Sequence, residues 1–188
     1  MAGIIKVNQY QDFNGNTLFT SDGNGNLTTQ DFNTPIFEVY RNGNQTLSDV
    51  TEAKVQWNAT NFDPDNVFDT TTNYRFTVPA GKAGKYHFYS LINVSAQAVS
   101  QLEQFYSYMR VNGDTSSVGT HKIAYYYPMN NAGAQFSQAM NATFDLAVGD
   151  YVEMYVYVDD NSGSPVIDSY LYNTVGQAAY FGGYRIGS

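Results

Sequence analysis

The chain contains no cysteine, so no disulfide framework, catalytic thiolate or Cys-based metal site can be built from it, and the redox compartment stays open. Basic residues are scarce: 9 Lys and Arg stand against 17 Asp and Glu, giving a formal charge of −8. Phosphate backbones and anionic lipid surfaces call for a cationic footprint, so nucleic acid and membranes are not expected as partners, and the acidic balance reads as solubility. The two histidines, His87 and His121, sit in separate strand patterns without a neighbouring nucleophile or a spaced second ligand. With no Gly-x-Ser-x-Gly elbow either, no enzyme is expected. No apolar run approaches about 18 residues, which excludes a membrane-spanning helix. Residues 1–6 lack the basic start and long apolar region of a secretory signal, which sets the expectation of a protein made and folded in a cytoplasm.

What the chain does have is aromatic and β-branched: 17 Tyr and 12 Phe in 188 residues, with recurrent Val and Thr, a composition that favours half-buried strands. Asn, Asp, Gly and Thr clusters punctuate these runs, and no helical crossovers separate them. The pattern predicts an all-β antiparallel sandwich, one domain of ordinary size with a short appendage. Strand candidates from Pro35 onward are 35–41, 46–50, 54–58, 74–79, 84–96, 103–112, 120–128, 135–146, 150–159, 166–172 and 178–186. The stretch 96–103 reads as a strand-linking loop. Tyr151, Glu153, Tyr155 and Tyr157 alternate with Val152, Met154, Val156 and Val158, the clearest two-residue period in the chain. Between residues 84 and 94, Tyr86, Phe88, Ser90, Ile92 and Val94 share one face, and Lys85, His87, Tyr89, Leu91 and Asn93 the other. Neither face is strongly polar, which suggests a second sheet on one side and another subunit on the other.

Residues 1–33 form a separate attachment arm in this reading. Its alternating segments surround Asn14-Gly15-Asn16 and Asp22-Gly23-Asn24-Gly25, pairs that supply the left-handed residues of hairpin turns. Isolated hairpins are marginal in water, so the arm should gain its order against a partner or its symmetry mates; a loosely attached leader is the alternative. Asp22 to Asn26 imitates the start of an EF-hand loop, but Leu27 stands where Gly is required and Asn33 where the bidentate Glu belongs, so it reads as a turn.

Carboxylates cluster at Asp63, Asp65 and Asp69 and at Asp159 and Asp160, and hard oxygen ligands on flexible loops are what Ca²⁺ prefers. Polar turns are the other reading of both groups, and no cofactor is otherwise expected. Asn-x-Ser/Thr sequons at Asn26, Asn44, Asn58, Asn93 and Asn141 are what an Asn- and Thr-rich chain produces by chance. Tyr125, Tyr126 and Tyr127 concentrate aromatic surface in one place, as protein interfaces and carbohydrate-stacking platforms do. A strand would put Tyr125 and Tyr127 on one face and Tyr126 on the other, so core and surface roles stay open together.

The order Val55-Gln-Trp57-Asn58, then Phe62-Asp63, Arg75-Phe-Thr-Val-Pro79 and Gly84-Lys-Tyr86-His-Phe88 resembles the globular domain of the C1q and tumour necrosis factor superfamily. The likeness extends to Pro35-Ile-Phe-Glu-Val-Tyr40, to Leu146-Ala-Val-Gly-Asp-Tyr-Val152 and to Tyr180-Phe-Gly-Gly-Tyr-Arg-Ile186, covering residues 34–188. It implies a ten-stranded jelly roll assembled as a homotrimer. Phe37, Trp57, Tyr74, Phe76, Tyr86, Phe88, Val152 and Phe181 would be structural core or trimer residues, and Gly84, Gly149 and Gly182 turn and packing glycines. The family sometimes holds Ca²⁺ near the trimer apex. Where many animal members carry a signal peptide and a collagen stalk, this chain has the Asn/Gly arm, whose style is similar to the openings of tailed-phage structural proteins. Together these imply a virion surface protein assembled in the host cytoplasm: a head fibre or decoration protein that joins a capsid or tail protein through residues 1–33, with a knob free for host adhesion. A tail-fibre receptor-binding tip and a free C1q-like lectin for surface glycans are the alternatives.

Overall fold

The computed structural model describes residues 7–29, 35–96, 102–116, 121–126, 135–161, 163–169 and 176–187. Its strands are β1 (Gln9–Gln11), β2 (Thr17–Ser21), β3 (Leu27–Thr29), β4 (Ile36–Tyr40), β5 (Gln45–Thr46), β6 (Thr51–Lys54), β7 (Ala59–Phe62), β8 (Phe68–Asp69), β9 (Arg75–Thr77), β10 (Gly84–Ser95), β11 (Leu102–Val111), β12 (His121–Tyr126), β13 (Gln135–Leu146), β14 (Tyr151–Asp160), β15 (Val166–Ile167) and β16 (Tyr180–Gly187). The chain divides into two compact units, residues 1–34 and 35–188.

The first unit is an antiparallel meander, β1-β2-β3. Its turns are built twice in one way. Asp12 Oδ1 accepts the amides of Asn14 and Asn16 while its Oδ2 accepts Asn16 Nδ2. Asp22 does the same with Asn24 and Asn26. An Asp that folds back on the backbone in this way holds a turn without any core. Tyr10 and Phe19, opposite each other across β1 and β2, stack at 4.5 Å.

In the second unit, alternation along long strands creates two sheets. In one, β10 pairs along its whole length with β13, and its other edge is shared by β16 over Lys85–Leu91 and by β15 at Val94 and Ser95. β4 and then β7 extend the sheet beyond β16, and β5 extends it beyond β15. In the other, β12 pairs with β11 and β11 with β14, whose far edge is shared by β6 and β9, with β8 outside β9. Every pairing is antiparallel, and the fold is a jelly-roll sandwich.

The core follows from the period of two. Tyr86, Phe88, Ile92 and Val94 of β10 and Val152, Met154, Val156 and Val158 of β14 point inward and are buried. Phe37 stacks between Phe68 at 5.1 Å and Phe76 at 5.2 Å, and meets Phe181 edge-on at 5.4 Å. Trp57 lies on Phe181 at 6.1 Å.

Some expected boundaries differ. The 46–50 and 54–58 strands are replaced by the short β5 and β6, because Val50 takes a left-handed φ of 51° and turns the chain between them. Val55 and Trp57 are still buried, held in part by the Val55 amide on the Met154 carbonyl at 2.9 Å. The polar stretch after Trp57 contains β7 and β8, strands that Asn- and Asp-rich sequence conceals. The 120–128 strand is β12, and of the 166–172 strand only β15 is seen. Tyr127, the loop residues 97–101 and the end of the 166–172 candidate lie outside the described residues.

Candidate functional site

The outward face of the β10 sheet is assembled from alternate residues of β10, β16, β4 and β7. The register sets them in rows: Leu91, Tyr180 and Tyr40; Tyr89, Gly182, Glu38 and Phe62; His87, Tyr184 and Ile36. Gly182 gives the middle row its shape. A Cβ there would stand 2.4 Å from the Tyr89 ring, so only glycine lets that ring lie flat across β16. From this position Tyr89 donates its hydroxyl to Glu38 Oε2 at 2.8 Å. Burial, and then the Glu38 carboxylate, push the Tyr89 phenol far above the ordinary tyrosine range. Asn61 donates to Glu38 Oε1 and to Gln177 Oε1, both at 2.8 Å, and closes the network. Tyr180 meets Tyr89 edge-on at 6.4 Å, and His87 packs on Tyr184 at 5.6 Å. The result is an aromatic surface with one fixed carboxylate.

The outward face of the β14 sheet is also ordered in rows: Tyr106, Tyr157 and Glu52; Tyr108, Tyr155 and Lys54; Arg110, Glu153 and Arg75. Here charges are threaded between rings. Arg110 Nη2 donates to both oxygens of Glu52, at 2.8 and 2.9 Å, while its guanidinium lies 4.6 Å from the Tyr155 ring and 5.0 Å from that of Tyr108. Lys54 Nζ reaches Glu153 Oε1 at 2.5 Å, and Arg75 stacks on Tyr151 at 4.0 Å. Glu153 is only 4 % exposed although it stands on the outer side of the sandwich. Burial, and then the Glu52 charge, raise the Tyr108 phenol to about 12. Sequence reasoning missed this network. Its one signal was charged residues at the outward positions of aromatic strands.

The other sequence-selected residues fall as follows. Phe37, Trp57, Phe76, Tyr86, Phe88, Val152 and Phe181 are buried. Tyr74 is half-buried rather than enclosed, at a left-handed φ of 50° just before β9. Asp63 gives its two oxygens to the Val67 and Phe68 amides, each at 2.9 Å. Asp69 caps Thr71, Thr72 and Asn73, whose amides hold its carboxyl far below the usual range. Asp65 is exposed between them. At the end of β14, burial raises the Asp159 carboxyl, with Glu103, Asp49 and Asp160 adding to it, and Asp160 is buried. Among the described residues no group of three or more His, Asp or Glu is placed to hold a metal ion. His87 shares a 3.2 Å hydrogen bond with Thr143, its register partner on β13. Tyr125 and Tyr126 lie opposite Tyr106 and Phe105.

No family model matches the chain, and no curated protein does. Among solved structures, the globular domain of zebrafish complement 1qA protein is similar to it, with a TM-score of 0.53, 18 % sequence identity, and coverage of 82 % of this chain and 98 % of that one. The fold is thus that of a C1q-type globular domain.

Proposed function

We propose that the chain is the subunit of a homotrimeric, non-enzymatic virion surface protein, a capsid head fibre or decoration protein. Residues 1–33 act as its attachment arm to a capsid or tail protein, and the jelly roll of residues 34–188 is a knob exposed for adhesion to the host. The observation that carries the trimer is the outward face of β4, β16 and β10, where Ile36, Tyr40, Tyr89, Leu91, Tyr180 and Tyr184 share one surface. Aromatic side chains around a few fixed polar groups are what the centre of a protein interface contains. Attachment draws support from the arm. Val7, Tyr10, Phe13 and Leu18 are exposed there, on a meander whose turns are fixed by its own Asp side chains. The function needs no cofactor, and the virion is the location it assigns, after assembly in the host cytoplasm.

Mass measurement of the purified chain at micromolar concentration tests the assembly; a stable monomer would overturn it. Deleting residues 1–33 should leave a folded trimer that no longer joins the particle. Protease should cut the arm in free protein and spare it in virions. Equal protection in both would make the arm a stem of its own trimer and move attachment elsewhere. A second reading, a free lectin or a tail-fibre tip, draws on Tyr106 and Tyr157 of the β14 sheet, half-buried neighbours 5.2 Å apart, since aromatic rings suit sugar stacking. Glycan binding by free protein that survives removal of the arm would favour it.

A further inference from the structure

Asn-Gly pairs stand at Asn14, Asn24, Asn42 and Asn112, and the structure holds them in different states. In such a pair the glycine amide nitrogen follows the Asn side-chain carbonyl carbon along the chain, and glycine has no Cβ to obstruct their approach. Nucleophile and electrophile already share one molecule, where effective concentrations are high. Closing them into a five-membered ring needs two freedoms: a carboxamide able to turn, and a glycine N–H not committed to an acceptor.

Asn112 lacks the first freedom. Its Nδ2 donates to Asp150 Oδ1 at 2.8 Å, and its Oδ1 accepts the Tyr151 amide at 3.0 Å. Asn42 has its peptide clamped on both sides by Asn58, whose Oδ1 accepts the Asn42 amide at 2.8 Å and whose Nδ2 donates to the Asn42 carbonyl at 3.0 Å. The two turns of the first unit, Asp12-Phe-Asn14-Gly-Asn16 and Asp22-Gly-Asn24-Gly-Asn26, share a motif and the same set of Asp bonds, and they part at the second glycine position. Gly15 donates its amide to the Asp12 carbonyl at 3.1 Å, whereas the Gly25 amide has no acceptor among the described residues. The exposed Asn24 has its own amide on Asp22 Oδ1 at 2.7 Å, and its carboxamide is unbonded. Asn24 alone of the four combines an unbonded carboxamide, a free glycine amide and an unclamped carbonyl.

We propose that Asn24-Gly25 is a self-modification site, where the folded chain turns its own amide into an acid without an enzyme. The Gly25 amide nitrogen gives its proton to hydroxide and attacks Asn24 Cγ. The new C–N bond forms as the Cγ–Nδ2 bond breaks, and the leaving nitrogen takes a proton from water and departs as ammonia. Water then opens the ring at either carbonyl, giving an ordinary Asp or an isoaspartyl link in which the main chain runs through Cγ. Nothing is oxidised or reduced; one water is consumed and one ammonia released. Either product places a second carboxylate in the turn of Asp22. The isoaspartyl form also lengthens the backbone between Asp22 and Asn26, which are joined through the Asn26 amide at 3.1 Å and its Nδ2 at 2.7 Å, so the turn that sets Ser21 against Leu27 loosens. The chemistry does not depend on the virion reading. Where residues 1–33 serve as the attachment arm, it gives that arm a timed loss of shape.

The test incubates the full chain in mildly alkaline buffer, folded and in parallel unfolded in urea, and follows the peptide around each Asn by mass for conversion of amide to acid. Isoaspartyl peptides are identified by enzymatic methylation. Each site's unfolded rate is its own reference, which removes the effect of neighbouring sequence. With no bond to give up, Asn24 should convert in the folded chain within about threefold of its unfolded rate, whereas Asn112, which must break two hydrogen bonds including one to a carboxylate, should slow by about tenfold or more. Asn14 should be slowed more than Asn24. Asn24→Gln, whose ring closure would need one more atom, should abolish conversion at this turn and leave that at Asn42 unchanged. Folded-state conversion at Asn14 slowed no more than at Asn24, or an Asn24 slowed as much as Asn112, would overturn the proposal.

Discussion

Gly182 and Gly183 are neighbours in β16, and each faces an aromatic ring of β10, but the rings differ in their freedom. A Cβ on Gly183 would stand 2.5 Å from Phe88 Cδ1 and 3.1 Å from the His87 carbonyl oxygen. Phe88 is fully enclosed, with Phe76 at 5.4 Å, Phe181 at 5.8 Å and Phe144 at 6.0 Å. Ordinary contact begins near 3.4 Å, so the ring would have to retreat by 3.4 − 2.5 = 0.9 Å into close-packed neighbours. Overpacking of this kind costs about 1–3 kcal/mol, and the stiffer unfolded chain returns about 0.4–1 kcal/mol. The net loss for Gly183→Ala is between about zero and about 2.6 kcal/mol, which lowers the melting temperature by up to roughly 10 °C in a chain of this length. Gly182→Ala meets a nominally worse clash, 2.4 Å from Tyr89. Tyr89 lies on the outer face and can swing away, giving up mainly its bond to Glu38, a net of about 0.5–1.5 kcal/mol that the same entropy term nearly offsets. Urea melts of both variants should therefore place Gly183→Ala well below Gly182→Ala. A Gly183→Ala protein as stable in urea as Gly182→Ala, or more so, would refute the reasoning.

Trp57→Ala and Phe88→Ala should each cost about 3–5 kcal/mol in equilibrium unfolding, because both rings are fully buried, while a loss below about 1 kcal/mol at either would mean that the core repacks. Lys54→Met leaves Glu153, among the described residues, the Tyr155 hydroxyl at 3.3 Å as its hydrogen-bond donor, so about 1–3 kcal/mol should be lost, less than for a pair wholly out of water. Adding Glu153→Gln should restore part of that, and a strictly additive double variant would contradict the coupling. Tyr86 and Tyr108 are pushed up to about 12, chiefly by burial, so an ultraviolet titration should show tyrosines ionising well after the exposed ones. Both folded values are raised, so their contribution to stability is complete below the ordinary tyrosine range and lost as pH climbs through it toward about 12. Tyrosinate appearing in one step at the ordinary value would show that these hydroxyls are open to water.

The two-sheet architecture was legible in the sequence where alternation is long enough to matter. Over β10 and β14 the side chains leave a strand on alternate sides, so a one-residue slip would turn Phe88 or Val156 outward, and the pattern admits one register only. The hairpin chemistry of Asp12 to Asn16 and of Asp22 to Asn26 was legible for a similar reason, since a turn is a local object held by its own residues. Strands β7 and β8 were not legible, because polar residues pair as edge strands only when a neighbour such as β4 or β9 offers its free groups. The ring of Tyr89 over Gly182 and the threading of Arg110 between Tyr108 and Tyr155 join residues distant along the chain. Periodicity decides which side of a strand a residue occupies. Only tertiary pairing decides which residue it faces, and so whether a charge is paired or a ring is free to move.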